Sequence, residues 1–278
     1  MNNLITYDNK LIENDSKLQV VKKGHFLAKD YQDDVLAIPN TKLGRFSYTK
    51  QLYQWLVENN LYDNLVLAAG SDYGNLINSV PPDSLIQTAY DLSKFGNNPT
   101  QGVEANQPKL INNSYYNPSG DFRHITFPNI SFAQGDNHTV VIVGKLIQRP
   151  FSMIIGRTGT VISSIYMADA VGNPRIYFRS ESNITLDITD AITTPNFFDG
   201  NYNQVAISVK GEDNTVSSYF NGGLIKTTPL PSNNFIYNTL FRGSTDVHIT
   251  EGSVKSLFIF SKNLSQSEIS SLNLITNY

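Results

Sequence analysis

Carboxylates, histidines and tyrosines are the side chains of this 278-residue chain whose types and spacing could support chemistry. Cleaving a glycosidic bond takes two carboxyl groups flanking that bond. The strand-like stretch "RSESNITLDITDA" supplies Glu181, Asp187 and Asp190. Asp187 and Asp190 stand three apart, a spacing that sends them to opposite faces of a strand. They read as solvated edge or turn residues. The four histidines, His25, His124, His138 and His248, show no metal-ligand spacing such as His-x-x-x-His. No Gly-x-Ser-x-Gly elbow occurs, and "GNNPTQG" lacks the lysine and following helix of a phosphate loop. The turns "GDNH" (135–138) and "GEDN" (211–214) are acidic, but they hold too few oxygens for a calcium cage. No catalytic residue and no metal ligand is assigned, and no cofactor is expected.

Recognition of a sugar asks for something else: an aromatic ring beside side-chain amides. Two neighbourhoods offer it. Tyr115 and Tyr116 lie beside Asn112 and Asn113, and Tyr202 lies between Asn201 and Asn203. Tyr115, Tyr116, Tyr202 and Asn203 are therefore the candidate saccharide contacts. Fifteen tyrosines in one chain make such neighbours common by chance, so a plainer reading stands beside this one. In it the rings pack on strand faces or in turns, with their hydroxyls at the surface.

Composition limits the partners. A formal net charge of −3 leaves no basic stripe for nucleic acid. The absence of cysteine excludes a disulfide framework and any Cys-based metal site. The opening "MNNLITYDNKLIENDSKLQVVKKGHF" lacks the apolar core of a signal peptide. No run reaches the roughly 18 apolar residues of a membrane helix. These features predict a soluble protein made in a cytoplasm, without membrane insertion. Richness in Asn, Ser, Thr and Tyr suits strands and turns more than helices.

The elements that must position these side chains fall into three parts. Residues 1–46 are polar, with only short alternating pieces, and read either as a flexible tail or as an extended N-terminal docking arm. Residues 47–83 form a short helical region and linker. In "SYTKQLYQWLVENNLYDNLVLAAG", Leu52, Trp55, Leu56, Leu61, Leu65 and Val66 fall near helical spacing. Ser47 suits the start, Asn59-Asn60 a break into two short helices, and Gly70 a left-handed end. A short helical pair cannot build its own core, so it must pack on the following domain or on another subunit. Leu52, Trp55, Leu56 and Leu65 are the candidate assembly anchors. Residues 84–278 turn to β. "SLIQTAYDLS", "HTVVIVGKLI", "RIYFRSES", "NQVAISVKG" and "VKSLFIFSK" are among some ten strand-like stretches separated by Gly, Asn, Pro and Asp. The expected class is mainly β, a two-sheet antiparallel sandwich. A closing helix in "NLSQSEISSLNLI" carries a capping box, Ser265 with Glu268.

The stretch "NQVAISVKGEDNTVSSYFNGGLI", followed by "GSVKSLFIFSKNLSQSEISSL", resembles the concanavalin A-like, laminin-G-like jelly-roll family. The shared pattern is a strand, a hairpin, a Y-x-N-G turn, and a last strand leading into x-L-S-x-x-E-I on a short helix. It covers Asn203 to Leu274 and extends more loosely to "LIQTAYDLSKFGNNPTQ". The resemblance implies a jelly roll that often binds glycans, sometimes with calcium near the rim. Members that hydrolyse β-glucans carry a clustered Glu-x-Asp-x-x-Glu on one strand. This chain lacks it, so no enzyme is expected and a glycoside hydrolase is a distant third reading.

The order of pieces across Leu61 to Leu110 also resembles bacteriophage structural proteins among tail, head-fibre and capsid-decoration components. That resemblance implies a non-enzymatic virion protein whose N-terminal region docks on other virion proteins. Its helices would hold a homo-oligomer together, with a trimer as the arrangement considered. The jelly roll would face outward to host surface glycans. The alternative is a free carbohydrate-binding module, against which the absent secretion signal weighs.

Overall fold

In the computed structural model, residues 16–276 are described apart from 39–40, 43–45, 81–82, 113, 119–122, 147–151, 159–163, 170–173, 180–184, 188–199, 231–233 and 243–250. In chain order the first strands are β1 (Thr41–Lys42), β2 (Leu65–Gly70), β3 (Asn75–Val80), β4 (Asp83–Ala89), β5 (Lys109–Ile111), β6 (Ser114–Asn117), β7 (Ile125–Phe132), β8 (His138–Leu146) and β9 (Ser152–Gly156). Then come β10 (Ser164–Asp169), β11 (Pro174–Arg179), β12 (Thr185–Asp187), β13 (Asn203–Lys210), β14 (Thr215–Phe220), β15 (Gly223–Pro229), β16 (Phe235–Leu240) and β17 (Gly252–Phe260). Helices α1 (Ser16–Leu36) and α2 (Phe46–Glu58) precede β2, and α3 (Gln266–Thr276) follows β17.

The strands form two antiparallel sheets. The eleven-stranded sheet runs β1-β3-β4-β5-β6-β17-β8-β13-β14-β15, with β2 added on β17 beside β6. The six-stranded sheet runs β12-β11-β10-β9-β16-β7. The architecture is mainly β, a jelly-roll sandwich with a small helical N-terminal region, as the strand and turn pattern predicts. The β13–β14–β15 meander turns at Asn214, then at Asn221-Gly222. All three have positive φ, which explains "GEDN" and "FNGG" as tight turns.

The centre of the large sheet is apolar on both faces. Ile142, Val205, Ile207, Leu257 and Ile259 face the small sheet's Phe178, Phe235 and Tyr237. Their neighbours Val141, Ala206, Phe258 and Phe260 face the other way, onto a layer made by Leu52, Trp55 and Leu56 of α2 and Ile269 and Leu272 of α3. Strands buried on both faces lose the polar-apolar alternation of half-exposed ones. That accounts for the near-continuous apolar runs "VVIV" and "LFIF". The molecule is thus three layers deep: helices, large sheet, small sheet.

Three local expectations are corrected. Within the expected extended arm, Ser16–Leu36 is a helix. Its Gly24, Ala28 and Val35 are buried, and its Tyr31 is half-buried. The stripe is sparse and small, which disguises its helical period. A Cβ on Gly24 would run into the Gln54 backbone, so glycine there lets α1 lie close on α2. Second, "LVLAAG" is strand β2 rather than a second helix. A short apolar run fits either period, and pairing with β17 decides it. Third, Gly70 is not a left-handed helix end. A Cβ there would meet the Lys255 carbonyl, so its role is the close approach of β2 to β17. The expected break at Asn59-Asn60 is a helix end, with Asn60 at φ 54°. A cut between residues 83 and 84 falls within β4, next to the tight Val80–Asp83 end of the β3–β4 hairpin.

Candidate functional site

The strand ladder sets a row of side chains on the outer face of the large sheet. Tyr115 faces the inter-sheet core, so Tyr116 must face out. Tyr116 pairs with Lys109 on one side and Ser253 on the other, and Ser253 pairs with Lys145. Asn203 pairs with Gly144, which sets Tyr202, just ahead of β13, beside Lys145. Tyr116 and Tyr202 thereby reach the walls of one open cavity of about 280 Å³, together with Asn112, Lys145, Ser253 and Ile111. Asn112 has φ 49° in the β5–β6 turn, a conformation that asparagine tolerates. The Lys255 ammonium lies 5.4 Å from the centroid of the Tyr202 ring.

The other two candidate saccharide contacts are absorbed by the fold. Tyr115 is buried, and its hydroxyl donates to Asn75 Oδ1 at 2.6 Å. Burial holds that phenol well above its ordinary pKa. Asn203 is also buried, and its Oδ1 accepts from Asn221 Nδ2 at 2.9 Å, tying the start of β13 to the turn after β14. Neither offers a free contact to a ligand. Asn113 lies outside the described residues.

The four assembly anchors point into this chain. Leu52, Trp55, Leu56 and Leu65 are each 5% exposed or less, and all belong to the core between the helices and the large sheet. Trp55 Nε1 donates to Ser271 Oγ of α3 at 2.8 Å, and its ring stands edge-on to Phe260 at 6.3 Å. Of the two partners the helical segment requires, the following domain takes these side chains. They are corrected from a surface for a second subunit to an internal seam.

The carboxylate and histidine candidates disperse. Glu181, Asp190 and His248 lie outside the described residues, and Asp187 ends the short β12. No Asp or Glu lines the Tyr116–Tyr202 cavity among the described residues. His25 packs against Phe46, and His124 lies 3.1 Å from an Arg242 guanidinium nitrogen. His138 sits in the inter-sheet core, stacked 4.3 Å from Phe132, with Nε2 3.3 Å from the Tyr237 hydroxyl. Burial pushes its pKa down to about 3, so it stays neutral. The two acidic turns abut, Gly211 N–H donating to Asn137 Oδ1 at 2.9 Å, and Lys210 pairs with Asp213 at 2.5 Å.

A second cavity, about 470 Å³, was not legible from sequence because three separate segments build it. Tyr31 of α1, Tyr53 of α2 and Tyr90 and Asp91 of the loop after β4 line it. Its polar groups are largely engaged in holding the layers together. Tyr53 donates to the Leu92 carbonyl at 2.8 Å, and Tyr31 accepts from Gly74 N–H at 2.9 Å. Asp91 accepts from the N–H groups of Ala68, Ser93 and Asn97, each at 2.8 Å.

No protein-family model matches the sequence, and no curated protein matches it. The fold is similar to solved binding-domain structures. One is the binding domain of Paraclostridial Mosquitocidal Protein 1, at 15% identity and TM-score 0.52, over 76% of this chain and 52% of that one. Another is the binding domain of botulinum neurotoxin DC in complex with SialylT, at 16% identity and TM-score 0.50, over 78% of this chain and 52% of that one. This chain thus spans about half the length of each. Similarity at this level is similarity of fold, and function must come from the site.

Proposed function

We propose that this chain is a non-enzymatic saccharide-binding protein, its ligand resting in the Tyr116–Tyr202 cavity. The observation that carries this is the convergence of two tyrosine rings from distant segments on one open cavity, with Asn112, Ser253 and Lys145 as hydrogen-bonding groups. An amphipathic wall with a few placed polar groups is the common form of a small-ligand site. Binding rather than cleavage is favoured because hydrolysis needs two carboxyl groups across the bond. The walls supply none among the described residues. The similar fold of a binding domain solved with SialylT supports the same reading.

The finer part of the proposal places the protein in a bacteriophage virion, docked through its N-terminal region, with the sandwich turned to host surface glycans. Its support is the order of pieces along Leu61 to Leu110. A free carbohydrate-binding module is the second reading. It is favoured by the burial of Leu52, Trp55, Leu56 and Leu65 inside the chain, which leaves them no part in holding subunits together. Light scattering on the full chain separates the two: a defined oligomer favours the virion reading, a monomer the free module.

The site itself is tested by titrating the full chain with a panel of oligosaccharides beside Tyr116→Ala and Tyr202→Ala. Each variant is expected to weaken the best ligand at least about tenfold, the loss of one stacking wall. Both should keep the parent melting temperature. Unchanged affinity in both variants would remove the cavity from the proposal.

A further inference from the structure

We infer that this cavity selects a saccharide carrying a carboxylate or sulfate group over a neutral one. The inference rests on the saccharide reading above and names the ligand class of the same site. Each tyrosine wall has a lysine at its side, and a third lysine stands between them. Lys109 is the ladder partner of Tyr116, Lys255 lies over the Tyr202 ring, and Lys145 lines the cavity itself. Lys145, the lysine in the cavity wall, is exposed and can meet a ligand directly, with Lys109 and Lys255 half-buried at the margins.

This clustering runs against the chain as a whole, which carries 24 acidic and 21 basic residues. Lysine is a compact point charge on a flexible stem, which suits one anionic group presented at varying angles. At a partly solvated site, each such contact contributes modestly and fades with added salt. Neutral hydroxyls gain no comparable attraction.

The test compares 3′-sialyllactose, lactose 3′-sulfate, lactose and inorganic sulfate on the full chain at low ionic strength. The parent protein should bind at least one acidic sugar about tenfold tighter than lactose. Lys145→Gln/Lys255→Gln should shrink that preference to about twofold, the acidic sugar losing more affinity than lactose does. Rising salt should erode the acidic-sugar affinity only. The two acidic sugars tell carboxylate from sulfate, and either preference supports the inference. Lactose binding as tightly as both overturns the inference and leaves the saccharide reading standing. Inorganic sulfate matching lactose 3′-sulfate overturns it too, because the sugar would then contribute nothing. No binding of any sugar overturns both. A preference that survives the double lysine variant overturns the assignment to these lysines.

Discussion

The outer face of the large sheet is treated in two ways along the same strands. Under α2 and α3 it is sealed by Val141, Ala206, Phe258 and Phe260. Beyond the helices, the same three strands present Lys145, Tyr202 at the head of β13, and Ser253. β17 changes from "LFIF" to "GSVK", and β8 from "VVIV" to "GK". A strand meant to be covered along its whole length would stay apolar on that face. The change marks where the helical layer stops and where the sheet becomes available to a ligand.

Removing the cover should have the largest effect. A fragment beginning at residue 84 loses α1, α2, β2 and β3, and bares the Phe258 and Phe260 face. It is expected to aggregate or to lack a cooperative melt. A soluble monomer with a sharp transition would show that the β part is independent of the helices. Next comes Trp55→Ala in the full chain. Emptying that seam should cost about 3–5 kcal/mol, a fall of roughly 6–15 °C in melting temperature. A fall under about 2 °C would mean that the helical layer contributes little. The inner face gives a third reference through His138, caged by Phe132, Phe235 and Tyr237, of which the Tyr237 phenol is the titratable member among the described residues. Its folded pKa is depressed from 6.5 to about 3. Its contribution to stability is therefore complete above pH 6.5 and is lost as pH falls toward 3, with a slope of up to about 1.4 kcal/mol per pH unit. Denaturant titrations at pH 7, 5.5 and 4 on parent and His138→Phe test this: the variant should show the shallower decline. Smallest of all should be the stability change in Tyr202→Ala, within about 0.5 kcal/mol. A larger loss would mean that the open half is also part of the scaffold.

The parts legible in the sequence are those governed by local chemistry. Asn214 and Asn221-Gly222 mark turns because few other residues accept their φ. Ser265 and Glu268 announce α3, and the reciprocal bonds form, Ser265 N–H to Glu268 Oε2 at 2.7 Å and Glu268 N–H to Ser265 Oγ at 3.3 Å. β2 was hidden because Leu61 and Leu65 fall on a helical spacing by accident, while its pairing with β17 is remote in sequence. The site was half legible. Adjacent tyrosines on a strand must point opposite ways, so one of Tyr115 and Tyr116 had to be internal, but only the sheet shows which. That Tyr116 shares a cavity with Tyr202 depends on the β6-β17-β8-β13 register, which no local motif encodes. Asn203 looked like a ligand for the reason it serves the fold: an amide beside a turn readily bonds the turn.

Trp55 is the chain's sole tryptophan, and its indole is enclosed beside Phe260 with its N–H held by Ser271. The protein therefore carries a single indole fluorophore, placed in the seam between helices and sheet and outside the cavity that the open tyrosines line. Its emission should be blue-shifted at rest and move to the red when the helical layer lifts. Sugar in the cavity should leave that colour alone, so the shift reports loss of the cover whether or not the site is filled.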